Sequence, residues 1–314
     1  MSRAFVFPGQ GAQAVGMGRD LAEAYPAAKA VYDEVDDALG EKLSALIWEG
    51  DQDTLTLTRN AQPALMATSM AVMAALQAEG VGIDAAACVA GHSLGEYSAL
   101  AAAQAISVAD AARLLRVRGE AMQAAVPVGE GAMAAILGLD RDAVRKVAAE
   151  AAEGGGVCVA ANDNDPAQVV ISGHVKAVER AADLARIAGA KRALLLPVSA
   201  PFHCRLMEPA ARAMAEALSH IEIEDPKVPL VANVLAHDIS DAGTIRSLLV
   251  DQVTHAVRWR ESVAWMSDHG VTEFWEIGAG KALTGMIRRI AKDAETRWML
   301  SPDEVRAAAA SVAG

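Results

Sequence analysis

The chain opens on a short continuous apolar run. RAFVFPG (3–9) reads as a buried strand that ends near residue 8, where Pro8 and Gly9 force a turn. Between 20 and 39 the apolar positions recur at helical spacing, with Pro26 marking a break or a new first turn. A long apolar helix is expected over 62–80, closed by Gly80. Its Met66, Met70 and Met73 fall at helical spacing and read as core packing. The stretch 86–106 changes character midway. ACVAG has the look of a buried strand, LGEYSALAAAQA that of a helix, and a serine stands between them. Another helix is predicted over 108–126.

From 128 to 198 the rhythm shifts to strand (GAMAAILGL), helix (DRDAVRKVAAEAAE), two strands (GVCVAAN and QVVISG), helix (VKAVERAADLARIAG) and strand (KRALLLPVS). That order, βαββαβ, is the ferredoxin-like pattern and suggests a small inserted unit; the alternative is continuation of one α/β sheet. After 200 the α/β texture returns. Helices are expected over 208–221, 244–253, 259–270 and 281–293, strands over 228–234 and 271–278, and a frayed tail at AAAASVAG. No internal repeat or low-complexity segment is visible.

Composition narrows the classes. With 314 residues, 53% of them hydrophobic, the chain can bury a large core as one big domain or two modest ones. A net charge of −12 argues against a wholesale nucleic-acid binder and requires any acidic partner to dock on a local basic patch. Cys88, Cys158 and Cys204 are odd in number and form no CxxC pair, so a reducing compartment is expected and a disulfide framework is not. The first residues hold no signal-like apolar region, and no uninterrupted apolar run is long enough for a membrane span. These features point to the cytoplasm.

Two turns carry candidate chemistry. FPGQGAQ (7–13) is a glycine-rich turn after a first strand, which suits either phosphate binding or the aiming of backbone N–H groups at another target. GHSLG (91–95) fits G-x-S-x-G between strand and helix, a nucleophile elbow in which the positions two before and two after the serine must be small. Ser93 then needs a base. Of seven histidines, His92 is adjacent on a tight turn and points away, His174 sits in a turn, His220, His237 and His269 lie in polar contexts, and His255 follows DQVT. His203, after a strand and a proline turn and downstream of the serine, is placed as an α/β-hydrolase base would be. Cys204 beside it has nothing else to mark it as a nucleophile. Asp163 and Asp165 lie between serine and histidine, where a hydrolase acid belongs, but read as loop residues. Arg118 shares its helix with Arg113 and Arg116, and a solvated charge beside them is one reading of it.

Taken together, FPGQGAQ, GHSLGEYSAL, LLRVRGEAMQ (114–123) and PVSAPFHC closely resemble the malonyl-CoA:acyl carrier protein transacylase family, and are similar to polyketide synthase acyltransferase domains. The match runs in order from residue 4 to about 300. The resemblance implies an α/β fold: an α/β-hydrolase-like large domain (1–127 and 199–314) with an inserted ferredoxin-like small domain (128–198). It implies Ser93 as nucleophile, His203 as base, and an oxyanion hole from the backbone N–H groups of Gln10 and Leu94. In that case the first glycine turn serves the thioester oxygen and not a phosphate. It further implies that Arg118 grips the malonyl carboxylate, that Gln252 lies near the site, and that a backbone carbonyl in its segment orients the histidine in place of an acid. Phe202 would fill the space a branched acyl group needs. His255-Ala256 stands where many relatives have Asn-Pro.

The implied reaction is ping-pong transfer from malonyl-CoA to acyl carrier protein, with coenzyme A thioesters as substrates and no metal or redox cofactor. The carrier protein is typically acidic, so docking needs a basic patch; Lys191, Arg192, Arg288 and Arg289 (with Lys292) are the candidates. Alternatives are a trans-acting polyketide acyltransferase, a malonate decarboxylase component, a serine hydrolase, or a scaffold with a relic site.

Overall fold

The computed structural model describes residues 2–198 and 200–312. Its strands in chain order are β1 (Arg3–Phe7), β2 (Cys88–Gly91), β3 (Gly131–Leu137), β4 (Cys158–Asp165), β5 (Gln168–His174), β6 (Arg192–Leu195), β7 (Leu230–Val231), β8 (Asp238–Ile239), β9 (Glu273–Ile277) and β10 (Glu295–Met299). They form two sheets within an α/β architecture.

The larger sheet has the order β10-β9-β1-β2-β7-β8 and is parallel apart from the edge pair β7–β8. Parallel strands are covered on both faces, so they need apolar side chains at every position. This is why β1 reads as an unbroken run. Phe5 and Phe7 enter the main core, where Phe5 stacks on Trp275 at 5.4 Å between centroids. Ala4 and Val6 point the other way, onto a cluster with Phe274 and the helices Trp259–Asp268 and Ala282–Ile290. The buried helix Thr58–Ala78 packs against Val108–Ala124 in the main core, with Met66 and Met70 buried and Met73 half-buried.

The second sheet is antiparallel, ordered β4-β5-β3-β6. Strand alternation sorts its two faces. Ala134, Ile136, Val169 and Ile171 pack with the helices Arg141–Ala151 and Val175–Ile187. Met133, Ala135 and Val170 face the opposite way, into the main core and a cavity between the sheets.

Several expectations need correction. The long helix begins at Thr58, four residues before the expected start, and carries Pro63 in its first turns. The segment 228–234 pairs only over Leu230–Val231. Asp163 and Asp165 are not loop residues: they end β4, buried, in ion pairs with Arg260 and Arg289. The first half of the expected C-terminal tail belongs to a helix, Pro302–Ala310, opened by a Ser301/Glu304 capping box and anchored by buried Val305, Ala308 and Ala309; the tail's last two residues lie outside the described ones. No helix of the described residues is long and apolar enough to cross a membrane.

Candidate active site

The turn from β2 into the helix Gly95–Ala102 is built around close backbone contact. A Cβ on Gly91 would lie 1.9 Å from the Gly95 carbonyl carbon, and one on Gly95 would lie 2.3 Å from the Phe7 oxygen. Only glycine fits at either place. The turn pushes Ser93 into the left-handed region at φ 54°. Side chains hold it there on both sides. Its N–H donates to Asn233 Oδ1 (2.8 Å), and its carbonyl accepts from Gln252 Nε2 (2.9 Å). Asn233 Nδ2 also donates to the Gly91 carbonyl (2.6 Å). Leu94 is the N-cap residue of the helix, so its N–H lies outside the helix ladder.

His203 Nε2 lies 2.8 Å from Ser93 Oγ, and His203 Nδ1 lies 2.9 Å from the Gln252 carbonyl oxygen. A carbonyl only accepts, so Nδ1 carries the proton and Nε2 is left to accept from the serine hydroxyl. Burial, and next the Arg118 charge, push the His203 pKa down to about 3, which keeps the ring neutral with Nε2 free to accept.

Arg118 is 1% exposed, whereas Arg113 on the same helix bonds to Asp110 at the surface. Its Nη1 donates to Gln62 Oε1 (2.8 Å), and its Nη2 to Gln252 Oε1 (2.8 Å) and Ser93 Oγ (3.1 Å). The guanidinium lies 5.7 Å over the Tyr97 ring. Its Nε is buried with no partner among the described residues, so the group retains donor capacity for an incoming anion. Burial lowers its pKa, yet a guanidinium stays charged under such conditions.

Ser93, Leu94, Gln10, Arg118, Phe202 and His203 all line one cavity of about 470 Å³. Gln252 sits behind them, fully buried, and ties base to arginine through its carbonyl and its side chain. His92 also lines the cavity, but its Nε2 bonds to Asn164 Oδ1 (2.8 Å) and not to the serine. Cys204 is buried against the Pro201 carbonyl, and burial raises its pKa, which leaves it an inert thiol. His255 is exposed on the surface and bonds to the Asp251 carbonyl.

The basic candidates lie outside the cavity. Arg192 on β6 pairs in register with Leu137, Leu137 with Gln168, and Gln168 with Asp165. Asp165 is held by Arg289 at 2.7 Å. This row across the sheet passes Gln168, which lines the cavity, and spans about 14 Å from Arg192 to Asp165 at ~4.8 Å per strand. Lys191 lies at the Arg192 end of the row, its side chain against Gly138. Arg288 bonds to Thr296 Oγ1 (2.8 Å).

Sequence reasoning missed three polar residues of this site: Gln62, Glu96 and Asn233. Each interrupts an apolar segment, and each is buried. A polar side chain inside an apolar run was the available signal, because such a group must find partners within the fold.

An acyl transferase domain model matches residues 4–303. The malonyl CoA-acyl carrier protein transacylase of Bacillus subtilis is 48% identical over 305 residues, covering 97% of this chain and 95% of that one. The crystal structure of an acyl-carrier-protein-S-malonyltransferase from Bartonella henselae is 55% identical with a TM-score of 0.97, covering 100% of both chains. A malonyl-transacylase in complex with its type II PKS acyl-carrier protein is 42% identical with a TM-score of 0.96, covering 99% of this chain and 100% of that one.

Proposed function

The chain belongs to the acyl transferase family that includes the malonyl CoA-acyl carrier protein transacylases, and from that premise we propose how its residues work. It is an acyltransferase that moves the malonyl group from malonyl-CoA to the phosphopantetheine thiol of acyl carrier protein, supplying fatty acid synthesis. The observation that carries this reading is the convergence of two groups on one oxygen. Ser93 Oγ lies 2.8 Å from His203 Nε2 and 3.1 Å from Arg118 Nη2.

His203 takes the Ser93 proton as the oxygen attacks the thioester carbonyl. The Gln10 and Leu94 N–H groups receive the oxyanion, and a preorganised donor of this kind contributes about 3–4 kcal/mol. Coenzyme A leaves with the proton from His203. The malonyl-serine ester remains, its free carboxylate on Arg118, where a buried guanidinium binds a carboxylate with charge assistance. The carrier protein's thiol then enters, gives its proton to His203 and attacks the ester carbonyl; the thioester forms as the bond to Ser93 Oγ breaks, and His203 returns the proton to that oxygen. The Gln252 carbonyl holds the imidazole tautomer throughout, taking the place of a triad acid. Phe202 limits the space beside the acyl carbon. No step passes through a metal or redox cofactor.

A simple serine hydrolase has no use for a buried arginine at its nucleophile, which favours transfer of a carboxylated acyl group. The likeness to a transacylase bound to a type II PKS carrier favours polyketide synthesis as a second reading for the carrier served. In this reading 1–127 and 199–314 form an α/β-hydrolase-like domain, its second boundary meeting Ser199 outside the described residues. Residues 128–198 form an inserted ferredoxin-like domain, supported by the βαββαβ order and the strand order β4-β5-β3-β6. Arg192 and Arg289, at the two ends of the row passing Gln168, form the docking patch with Lys191 and Arg288. The three free, buried cysteines suit the cytoplasm.

Intact-mass measurement after mixing with malonyl-CoA tests the reading. One malonyl group should persist on the wild-type enzyme until holo carrier protein is added, and then appear on the carrier. Ser93→Ala should acquire none. Free malonate released with no carrier present, and no trapped acyl-enzyme, would make the protein a hydrolase.

A further inference from the structure

Glu96 is a buried acid that the transfer steps do not use. It lies in the first turn of the helix Gly95–Ala102, three residues after the nucleophile, and is 1% exposed. Its Oε2 accepts from Gln252 Nε2 (2.6 Å) and from the Asn233 N–H (3.3 Å). Those two partners are the residues that clamp Ser93, one through its carbonyl and one through its N–H.

The donor and acceptor logic runs in one direction. A guanidinium has no acceptor, so Gln252 must turn its oxygen towards Arg118. Its NH2 group then faces Glu96 and the Ser93 carbonyl, and both must accept. Without the Glu96 oxygen, one N–H of that amide is left buried and unpaired, and the orientation of Gln252 towards Arg118 loses its anchor. The base is held differently: His203 Nδ1 bonds to the main-chain oxygen of Gln252, which needs no particular amide orientation.

Resting on the reading of Arg118 as the carboxylate-binding group, we propose that Glu96 is a positioning residue for acyl selection: through the Gln252 amide it aims the Arg118 guanidinium at the free carboxylate of the acyl group. Burial raises the Glu96 pKa to about 7, so the side chain exists near neutrality both as acid and as carboxylate. The hydrogen bond from Gln252 requires only an acceptor oxygen at the Oε2 position. Glutamine supplies one; alanine does not, and aspartate withdraws it by one methylene.

The test compares two acylations of Ser93 in wild type, Glu96→Gln, Glu96→Asp and Glu96→Ala. Malonyl-CoA uses Arg118. The neutral ester p-nitrophenyl acetate uses the serine, base and oxyanion donors but offers the arginine no carboxylate. The expected result is that Glu96→Ala lowers kcat/KM for malonyl-CoA at least tenfold more than for p-nitrophenyl acetate. Glu96→Asp should follow the same direction, and Glu96→Gln should restore the ratio to within about threefold of wild type. Equal losses on both substrates in Glu96→Ala and Glu96→Asp, or a Glu96→Gln ratio as low as that of Glu96→Ala, would overturn the proposal. The Glu96→Asp arm carries the test if Glu96→Ala does not fold. Failure of wild type to take a malonyl group on Ser93 would instead reject the functional reading beneath it.

Discussion

Ser93 and His203 meet through a 2.8 Å hydrogen bond although both hold their backbones in the left-handed region, at φ 54° and 58°. For a residue with a Cβ that conformation costs about 1–2 kcal/mol. The cost is met by packing and by the Asn233 and Gln252 bonds, which fix the hydroxyl at the end of β2 within reach of the imidazole. Strain at both partners is a reason to expect stability and activity to oppose each other here.

Ser93→Gly and Ser93→Ala both remove the hydroxyl, and only glycine relieves the backbone. Glycine is expected to be the more stable of the two by about 1 kcal/mol, or roughly 2 °C in Tm, with neither variant transferring acyl groups. Thermal unfolding of the pair decides it. An alanine variant as stable as the glycine one would mean that the turn holds no strain.

The depressed pKa of His203 sets the acid side of the rate profile. An imidazole of pKa 6.5 would lose about 25-fold of its free base between pH 7 and pH 5; one near 3 loses almost none. Acylation by p-nitrophenyl acetate should therefore fall less than about twofold over that range. The same profile measured in Glu96→Gln removes the contribution of the other buried group titrating there. Stability moves with the opposite preference for protons. The unfolded chain protonates this histidine near 6.5 and the folded chain only near 3, so its contribution is full above pH 6.5 and is lost as pH falls towards 3.

Arg192→Glu should raise KM for carrier protein severalfold and leave the rate of malonyl loading from malonyl-CoA unchanged. Arg289→Glu should do the same at an added cost in stability of about 1–2 kcal/mol, because it strips the partner from Asp165, which is 1% exposed. Steady-state kinetics with carrier protein as the varied substrate check this. An unchanged KM in both variants would remove the sheet-end row from the docking surface.

The elbow was legible because its demands are local: two glycines at fixed distance from a serine, between an apolar strand and a helix. The small sheet was legible from alternating period-2 and helical segments. Arg118 was not legible from the chain pattern alone. It shares a helix with Arg113 and Arg116, and only the fold decides which of the three faces inward; the family resemblance supplied that. Glu96, Gln62 and Asn233 escaped because their roles depend on partners 56 to 156 residues away. Asp163 and Asp165 looked like loop residues because acids seldom end a buried strand, and the arginines that neutralise them lie far along the chain. The C-terminal helix had a readable signal in SPDE, a capping box, outweighed by the alanine-rich run behind it.

The central claim is that Ser93, His203 and Arg118 form one site that selects a carboxylated acyl group and passes it to a carrier protein. Its most direct test is a transfer assay to holo acyl carrier protein with malonyl-, methylmalonyl- and acetyl-CoA, in wild type and Arg118→Ala. Wild type should prefer malonyl-CoA. The variant should lose about 30- to 1,000-fold of kcat/KM with that donor and far less with acetyl-CoA, since an acetyl group has no carboxylate for the missing guanidinium to hold. Equal losses with all three donors would contradict the account.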